Sequence, residues 1–304
     1  MKNLATFLCL LLFGLTTYSQ DDTYSLRLMT YNIRHGAGMD DVIDLDRQAS
    51  VISAAMPDVV GLQEVDSCVK RSSYKPQAAL LGSKTGMYAT FGGAIPLTGG
   101  KYGVAILSKE RPLSVRNIPL PGTEKRTLLV CEFQEYVFAT THLDLDEECR
   151  LSSLDIILEE AASWGDKPFF ICGDWNDQPS STLITKMKRA GFVFLNSLTS
   201  NSSSYTFPAQ SPNRIIDYIT SYGRVHKSLK KRQVINESQA SDHRPVLVEI
   251  TLESYTTGIE TIDNGQLTID NGQWYDLTGR KMPGGKLPAG LYIQKNQGKK
   301  VLVK

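Results

Sequence analysis

The chain has 304 residues, 41% of them hydrophobic and 21% charged, with 33 basic against 32 acidic side chains. Its length and apolar content allow a full core and exclude a disordered chain, and the near-zero net charge excludes a nucleic-acid binder basic over its whole surface. Beyond residue 20 no run is long and apolar enough to span a bilayer as a helix.

The first residues set Lys2 before an apolar run from Leu4 to Leu15, then small and polar residues ending at Gln20. That run is too short for a membrane span and has the layout of a secretory signal peptide, so residues 1–20 are read as a leader and the protein as secreted or displayed at the cell surface. Cys9 lies inside the apolar run, away from any processing site, which argues against a lipoprotein anchor. Residues 21–253 carry 25 basic and 28 acidic side chains, a mildly acidic body. Four cysteines follow the leader. Cys131 and Cys172 sit in apolar runs as small buried residues, while Cys68 and Cys149 lie in polar segments and are left as a pair that an oxidising compartment could bridge.

Taken in chain order, apolar and β-branched runs predict strands at Ser25 to Ile33, Val59 to Val65, Gly103 to Ser108, Thr127 to Phe133, Tyr136 to Thr141, Pro168 to Cys172, Ile215 to Thr220 and Val246 to Leu252. Apolar residues three and four apart predict helices over Asp46 to Ala55, Glu147 to Ala162 and Thr182 to Ala190. Strands outnumber helices, and the two runs around residue 134 are too close for a crossover helix. The expectation is an α/β (α+β) fold of mixed sheets with helices outside them, and not a doubly wound parallel sheet. The glycine-rich GGAIPLTGGKYG lacks the spacing of a P-loop and has Tyr102 where that motif needs Ser or Thr; it is read as a loop over a cleft. Residues 254–273, in which Thr261-Ile-Asp-Asn-Gly-Gln recurs from Thr268, read as a linker. Residues 274–304 show three short alternating strands between Gly and Pro turns, a small β module.

Several polar side chains stand at the ends of apolar strands: Asn32 in TYNIRHG, Glu64 in LQEV, His142 in THLD, Asp174 and Asn176 in GDWND, Asp217 in RIIDYI, and Asp242 with His243 in SDHRP. One carboxylate at a strand end is usually a turn former or cap; six such places in one chain point to a shared site for a hard, oxygen-ligated cation and a phosphate. Asp174 and Asn176, two apart on an extended segment, would point to the same side. Asp242 and His243 would face opposite ways unless the backbone bends there. Asp217 is a candidate to hold His243 in one tautomer.

In this order the motifs resemble those of the endonuclease/exonuclease/phosphatase family, and the resemblance covers nearly the whole body from TYNIRHG to SDHRPV. It implies a four-layer α/β sandwich of two packed mixed sheets flanked by helices. It further implies a metal-dependent hydrolase acting on phosphoester bonds, using a divalent cation: Mg²⁺ first, with Mn²⁺ or Ca²⁺ as alternatives. Glu64 resembles the metal-binding glutamate and Asn32 the amide beside it, with Asp242 a further metal candidate. Asp174 resembles the acid that orients or deprotonates the attacking water, Asn176 the amide that holds the phosphate, and His142 and His243 the histidines that grip it. Whether Asp174 or the Asp217–His243 pair is the base stays open. Arg126 and Tyr102 are substrate-contact candidates, each as easily an ordinary surface or packing residue.

The C-terminal YDLTGR, GLYI and KKVLVK resemble a type IX secretion sorting domain, which implies export machinery as a partner; a small accessory module is the other reading. The mildly acidic body favours a small or lipid-linked phosphodiester over nucleic acid as substrate, with an extracellular DNase-like enzyme as the alternative and a non-catalytic surface binding module as a third. A monomer is expected.

Overall fold

A computed structural model of the chain describes residues 23–223, 225, 227–253, 260–262, 274–283, 287–294 and 300–303. The leader segment and most of the repeated phrase lie outside the described residues. In chain order the elements are β1 (Thr23–Asn32), α1 (Leu45–Ala55), β2 (Val59–Ser67), α2 (Gln77–Thr85), β3 (Tyr88–Leu97), β4 (Gly100–Ser108), β5 (Ser114–Leu120), β6 (Arg126–Glu132) and β7 (Val137–His142). There follow α3 (Glu147–Ser163), β8 (Phe169–Asp174), α4 (Thr182–Arg189), β9 (Phe192–Phe194), β10 (Asp217–Tyr222), β11 (Lys227–Val234) and β12 (Val246–Glu253). The last four strands are β13 (Glu260–Ile262), β14 (Trp274–Asp276), β15 (Gly290–Gln294) and β16 (Lys300–Val303).

Two six-stranded sheets carry the body, in the orders β11-β12-β1-β2-β4-β3 and β5-β6-β7-β8-β10-β9. Each has one parallel pair, β1 with β2 and β7 with β8, and every other pairing is antiparallel. The parallel neighbours β1 and β2, and β7 and β8, are joined by crossovers that contain α1 and α3, because parallel strands cannot be linked by a tight hairpin. Alternation along the strands then sorts the side chains into layers. Leu26, Leu28, Phe138, Phe170, Cys172 and Ile219 pack between the sheets. Met29, Tyr31, Val60 and Leu62 pack under α1 and α2, and Val137, Ala139, Phe169 and Ile171 under α3 and α4. The result is a four-layer α/β sandwich of two mixed sheets.

Three of the four helices match the periodicity and are capped by side chains: Asp44 for α1, Asp146 for α3 and Ser181 for α4 accept N–H groups of the first turn. Helix α2 escaped the pattern because Pro76 precedes it with no capping side chain and Gly82 interrupts its short apolar face. Strands β3, β5 and β11 also escaped, being largely exposed, and β11 (KSLKKRQV) has the charged composition of an edge strand. The GGAIPLTGGKYG segment is not a free loop. It forms the paired ends of β3 and β4 with a turn at Thr98 and Gly99, where φ is 34° and 94°. The stretch read as linker contributes β13, which pairs parallel with β16; together with β15 and β14 these make a small four-stranded sheet around Trp274, Leu287, Tyr292 and Val303. Cys68 and Cys149 are unpaired, one at the end of β2 in the first sheet and the other on α3 over the second.

The sheets approach each other most tightly behind the cleft described below. A side chain at Gly61 of β2 would run into Cys172 Sγ and Thr140 Oγ1 of the facing sheet. Gly61→Ala is therefore expected to destabilise the protein by about 1–3 kcal/mol, read as a lower urea midpoint at unchanged slope.

Candidate functional site

The parallel pairs run the same way along their sheets, so their C-terminal ends open at one edge of each sheet. Asn32 ends β1, His142 ends β7 and Asp174 ends β8, while Asp217 begins the antiparallel β10 directly opposite Asp174. These four residues have the same parity as the inter-sheet core residues Leu28, Phe138, Cys172 and Ile219, so strand alternation aims them into the space between the sheets.

Glu64 arrives by a different route. It shares parity with Val60 and Leu62, whose side chains pack under the helices, and a regular strand would send it there. Instead the β2–β4 register shifts between Leu62 and Val65, and Glu64 sits at φ 58°. This bulge turns the carboxylate toward the cleft, where it accepts a hydrogen bond from Asn32 Nδ2 at 3.1 Å.

Asn176 is likewise not on an extended segment. It follows the end of β8 at φ 50°, and its backbone N–H donates to Asp174 Oδ1 at 2.9 Å. The side chain reaches back to donate to Leu143 O at 2.9 Å and lies 3.0 Å from His142 Nε2. The segment after Ala240 bends, and Ser241 Oγ donates to Asn32 O at 2.7 Å, which lets Asp242 and His243 both border the cleft.

At the centre lies Asp174 Oδ2. Asn32 Nδ2 donates to it at 3.1 Å, and His243 Nε2 and His142 Nε2 stand 3.5 and 3.6 Å away. His243 Nδ1 faces Asp217 Oδ2 at 3.0 Å, and Asn196, which sequence reasoning missed, donates to the Asp217 carbonyl at 3.2 Å. Phe207 packs against the His243 ring at a tilt of 47°, with centroids 4.7 Å apart. The surrounding cleft, about 520 Å³, is also lined by Tyr102, Glu124, Arg126, Leu145, Asp177 and Arg214. All the sequence-derived candidates except Asn32 and Asp217 border this opening, and those two are buried directly beneath it. Phe207, Leu145, Glu124 and Arg214 carry no strand-end signature and could not be singled out from sequence. Arg126 is buried and ion-paired to Glu124 at 3.0 Å, with Asp144 at 3.7 Å.

The two imidazoles experience opposite fields. For His142, burial disfavours the charged ring and lowers its pKa to about 4; the Asp174 carboxylate offsets only part of this, and Arg126 and His243 push the same way as burial. Burial also works against a charged His243, but Asp217 and Asp174 outweigh it and raise that ring to about 10. Burial raises the Glu64 carboxyl too; the Asn32 hydrogen bond lowers it, and the Asp242 and Asp174 charges add to the rise.

A group of carboxylates held together with so few donors fits a cation. Glu64, Asp242 and Asp174 offer oxygen atoms only, the donor set of a hard divalent ion, and a cation there would favour the ionised Glu64 against its burial and the neighbouring Asp242 and Asp174 charges. Asp174, Asp217 and His243 also place ligand atoms within 4.8 Å of one another. That closeness has another cause, since the His243 ring lies between the two carboxylates and presents a nitrogen to each. The Glu64 side of the cleft is thus the better cation site.

The depressed His142 has a consequence for stability. Between about pH 6.5 and 4 the unfolded chain takes up a proton on this residue that the folded state refuses, so stability falls as pH drops through that window. The slope is expected to reach at most about 1.4 kcal/mol per pH unit. Urea titrations across pH in the presence of chelator should show it, and His142→Gln should flatten that part of the profile.

The Endonuclease/Exonuclease/phosphatase family profile matches residues 29–243. Among solved structures, an endonuclease/exonuclease/phosphatase from Beutenbergia cavernae is 19% identical, covering 90% of each chain with a TM-score of 0.66. A Bacteroides vulgatus member is 20% identical over 76% of this chain and 100% of its own, with a TM-score of 0.62. A mannosyl-6-phosphatase of Bacteroides thetaiotaomicron is 18% identical over 74% of this chain and 99% of its own, with a TM-score of 0.60. No curated protein matches the sequence. With strand-end carboxylates, amides and imidazoles gathered in one cleft, the chain belongs to the endonuclease/exonuclease/phosphatase family and is a metal-dependent phosphoester hydrolase.

Proposed function

We propose that the protein is an exported phosphodiesterase for small or lipid-linked phosphodiesters. The observation that carries this reading is the charge of the cleft: Glu64, Glu124, Asp174, Asp177 and Asp242 line it against Arg126, Arg214 and the charged ring of His243. Outside the cation-binding and catalytic groups the wall carries Glu124 and Asp177 against Arg126 and Arg214, without the excess of cations that a long polyanion requires, which disfavours nucleic acid. Phe207, packed at a tilt against His243, and Leu145 in the cleft lining supply apolar walls for ester substituents.

In this reading Glu64 and Asp242 hold the divalent cation, with Mg²⁺ first, which when bound polarises a phosphoryl oxygen and steadies the departing one. Asp174 orients the attacking water and takes its proton; its oxygens are fixed for this by Asn32 Nδ2 and the Asn176 N–H. His243, anchored at Nδ1 by Asp217, turns Nε2 toward the phosphate, while Asn176 Nδ2 donates to Leu143 O and faces Nε2 of the neutral His142 beside it. Tyr102 and Arg126 contact the substrate from the wall of the cleft. The signal-like start and sorting-like tail support export through the outer membrane as a monomer.

Purified protein is expected to hydrolyse bis-p-nitrophenyl phosphate and glycerophosphodiesters with Mg²⁺, to stop with chelator and to recover on Mg²⁺ addition. Asp174→Asn should lower kcat by about 10²–10⁴-fold without a change in the unfolding midpoint larger than that of a surface substitution. Faster cleavage of plasmid DNA than of every small diester would overturn the substrate assignment. For export, an intact tail on the secreted protein by mass spectrometry would contradict a cleaved sorting signal.

A further inference from the structure

We infer that Arg214, held on the Phe207 ring, is a specificity-determining residue that reads a second anionic group on the substrate. The inference rests on the diesterase reading above and names the class of its substrate: a small phosphoester with a further phosphate or carboxylate on one ester arm.

The guanidinium groups around the cleft are mostly committed. Arg126 is tied to Glu124 and lies near Asp144, Arg34 pairs with Asp41, Arg71 with Asp66, and Arg150 with Asp177. Arg244 donates to the Ala209 carbonyl. Arg214 differs: it makes no ion pair among the described residues, and its Nε donates to the neutral side chain of Asn213 at 3.2 Å. Its Nη groups remain to bind an oxyanion in the bidentate manner that guanidinium favours.

Its position is set by structure more than by its own flexible stem. Phe207 and Arg214 form an isolated antiparallel bridge, with backbone bonds in both directions at 3.2 and 3.1 Å. The guanidinium carbon lies 5.1 Å from the Phe207 ring centre, and that ring packs against His243 with centroids 4.7 Å apart and planes tilted by 47°. Arginine, phenylalanine and histidine thus make a ladder that keeps the positive group within roughly 10 Å of the imidazole facing the scissile phosphate. That is the reach of a second acidic group in a small molecule. The opposite arginine, Arg126, cannot serve equally well, because Glu124 already neutralises it. An acidic cleft with one uncommitted cation on its wall selects for a single extra negative charge at one place and against a continuous run of them.

Three synthetic diesters test this, each with a p-nitrophenyl leaving group and differing in the second arm: ethyl, 2-carboxyethyl or 2-phosphoethyl. The wild-type enzyme is expected to prefer at least one acidic arm over ethyl by about 10-fold or more in kcat/KM, chiefly through KM, and the two acidic arms distinguish a carboxylate from a phosphate ligand. Arg214→Gln should abolish the preference, Arg214→Lys should keep part of it, and Phe207→Leu should weaken it by releasing the guanidinium. Because the readout is a ratio between substrates on one preparation, a partly misfolded variant does not mimic the result. Turnover of all three with no preference in the wild type, or a preference that survives Arg214→Gln, would overturn the inference while leaving the diesterase reading intact. No turnover of any of the three would overturn both.

Discussion

One amide holds the two halves of this site together. Asn32 Nδ2 has two hydrogens and donates to Glu64 of the first sheet and to Asp174 of the second, each at 3.1 Å. Carboxylates from two separate sheets repel one another, and here a neutral donor between them fixes their spacing without adding charge. The amide is itself oriented, since Asn32 Oδ1 accepts from the Arg34 N–H at 3.0 Å and its carbonyl accepts from Ser241. Behind it, Thr30 donates to Gln63 Oε1 and Gln63 Nε2 donates to Thr140 of the facing sheet, a fully buried polar bridge at the closest approach of the two layers. The geometry of the cleft is therefore a property of how the sheets dock.

Electrostatics follows from that docking. Two histidines of similar intrinsic basicity approach the same oxygen of Asp174 to within 0.1 Å of the same distance, yet they are driven in opposite directions. His243 has a second carboxylate on its far nitrogen, whereas the buried Nδ1 of His142 has no hydrogen-bond partner among the described residues and Arg126 stands nearby. One ring is kept as a charged donor, and the other stays neutral with its Nε2 facing the Asn176 amide.

Much of this was legible in the chain. The strand-end positions of Asn32, His142, Asp174 and Asp217, and the parity they share with the inter-sheet apolar residues of their own strands, follow from period-two alternation. Three helices were legible from apolar residues three and four apart. What escaped did so for physical reasons: edge strands such as β11 need no apolar face, and α2 has neither cap nor a long stripe. Asn176 was expected on an extended segment, but its left-handed backbone instead folds the amide back beside His142.

By itself the sequence determined the kinds of group available, their order, and the face of each regular strand on which they fall, because these depend on composition and on a local repeat. Only the tertiary structure decided that Glu64 turns out of the helix layer at a bulge, that Asp242 and His243 can share one cleft, and that Arg214 comes to rest on Phe207 beside His243. Each of those depends on contacts between residues far apart in the chain, and a local repeat holds no information about what will stand opposite once the two sheets have closed.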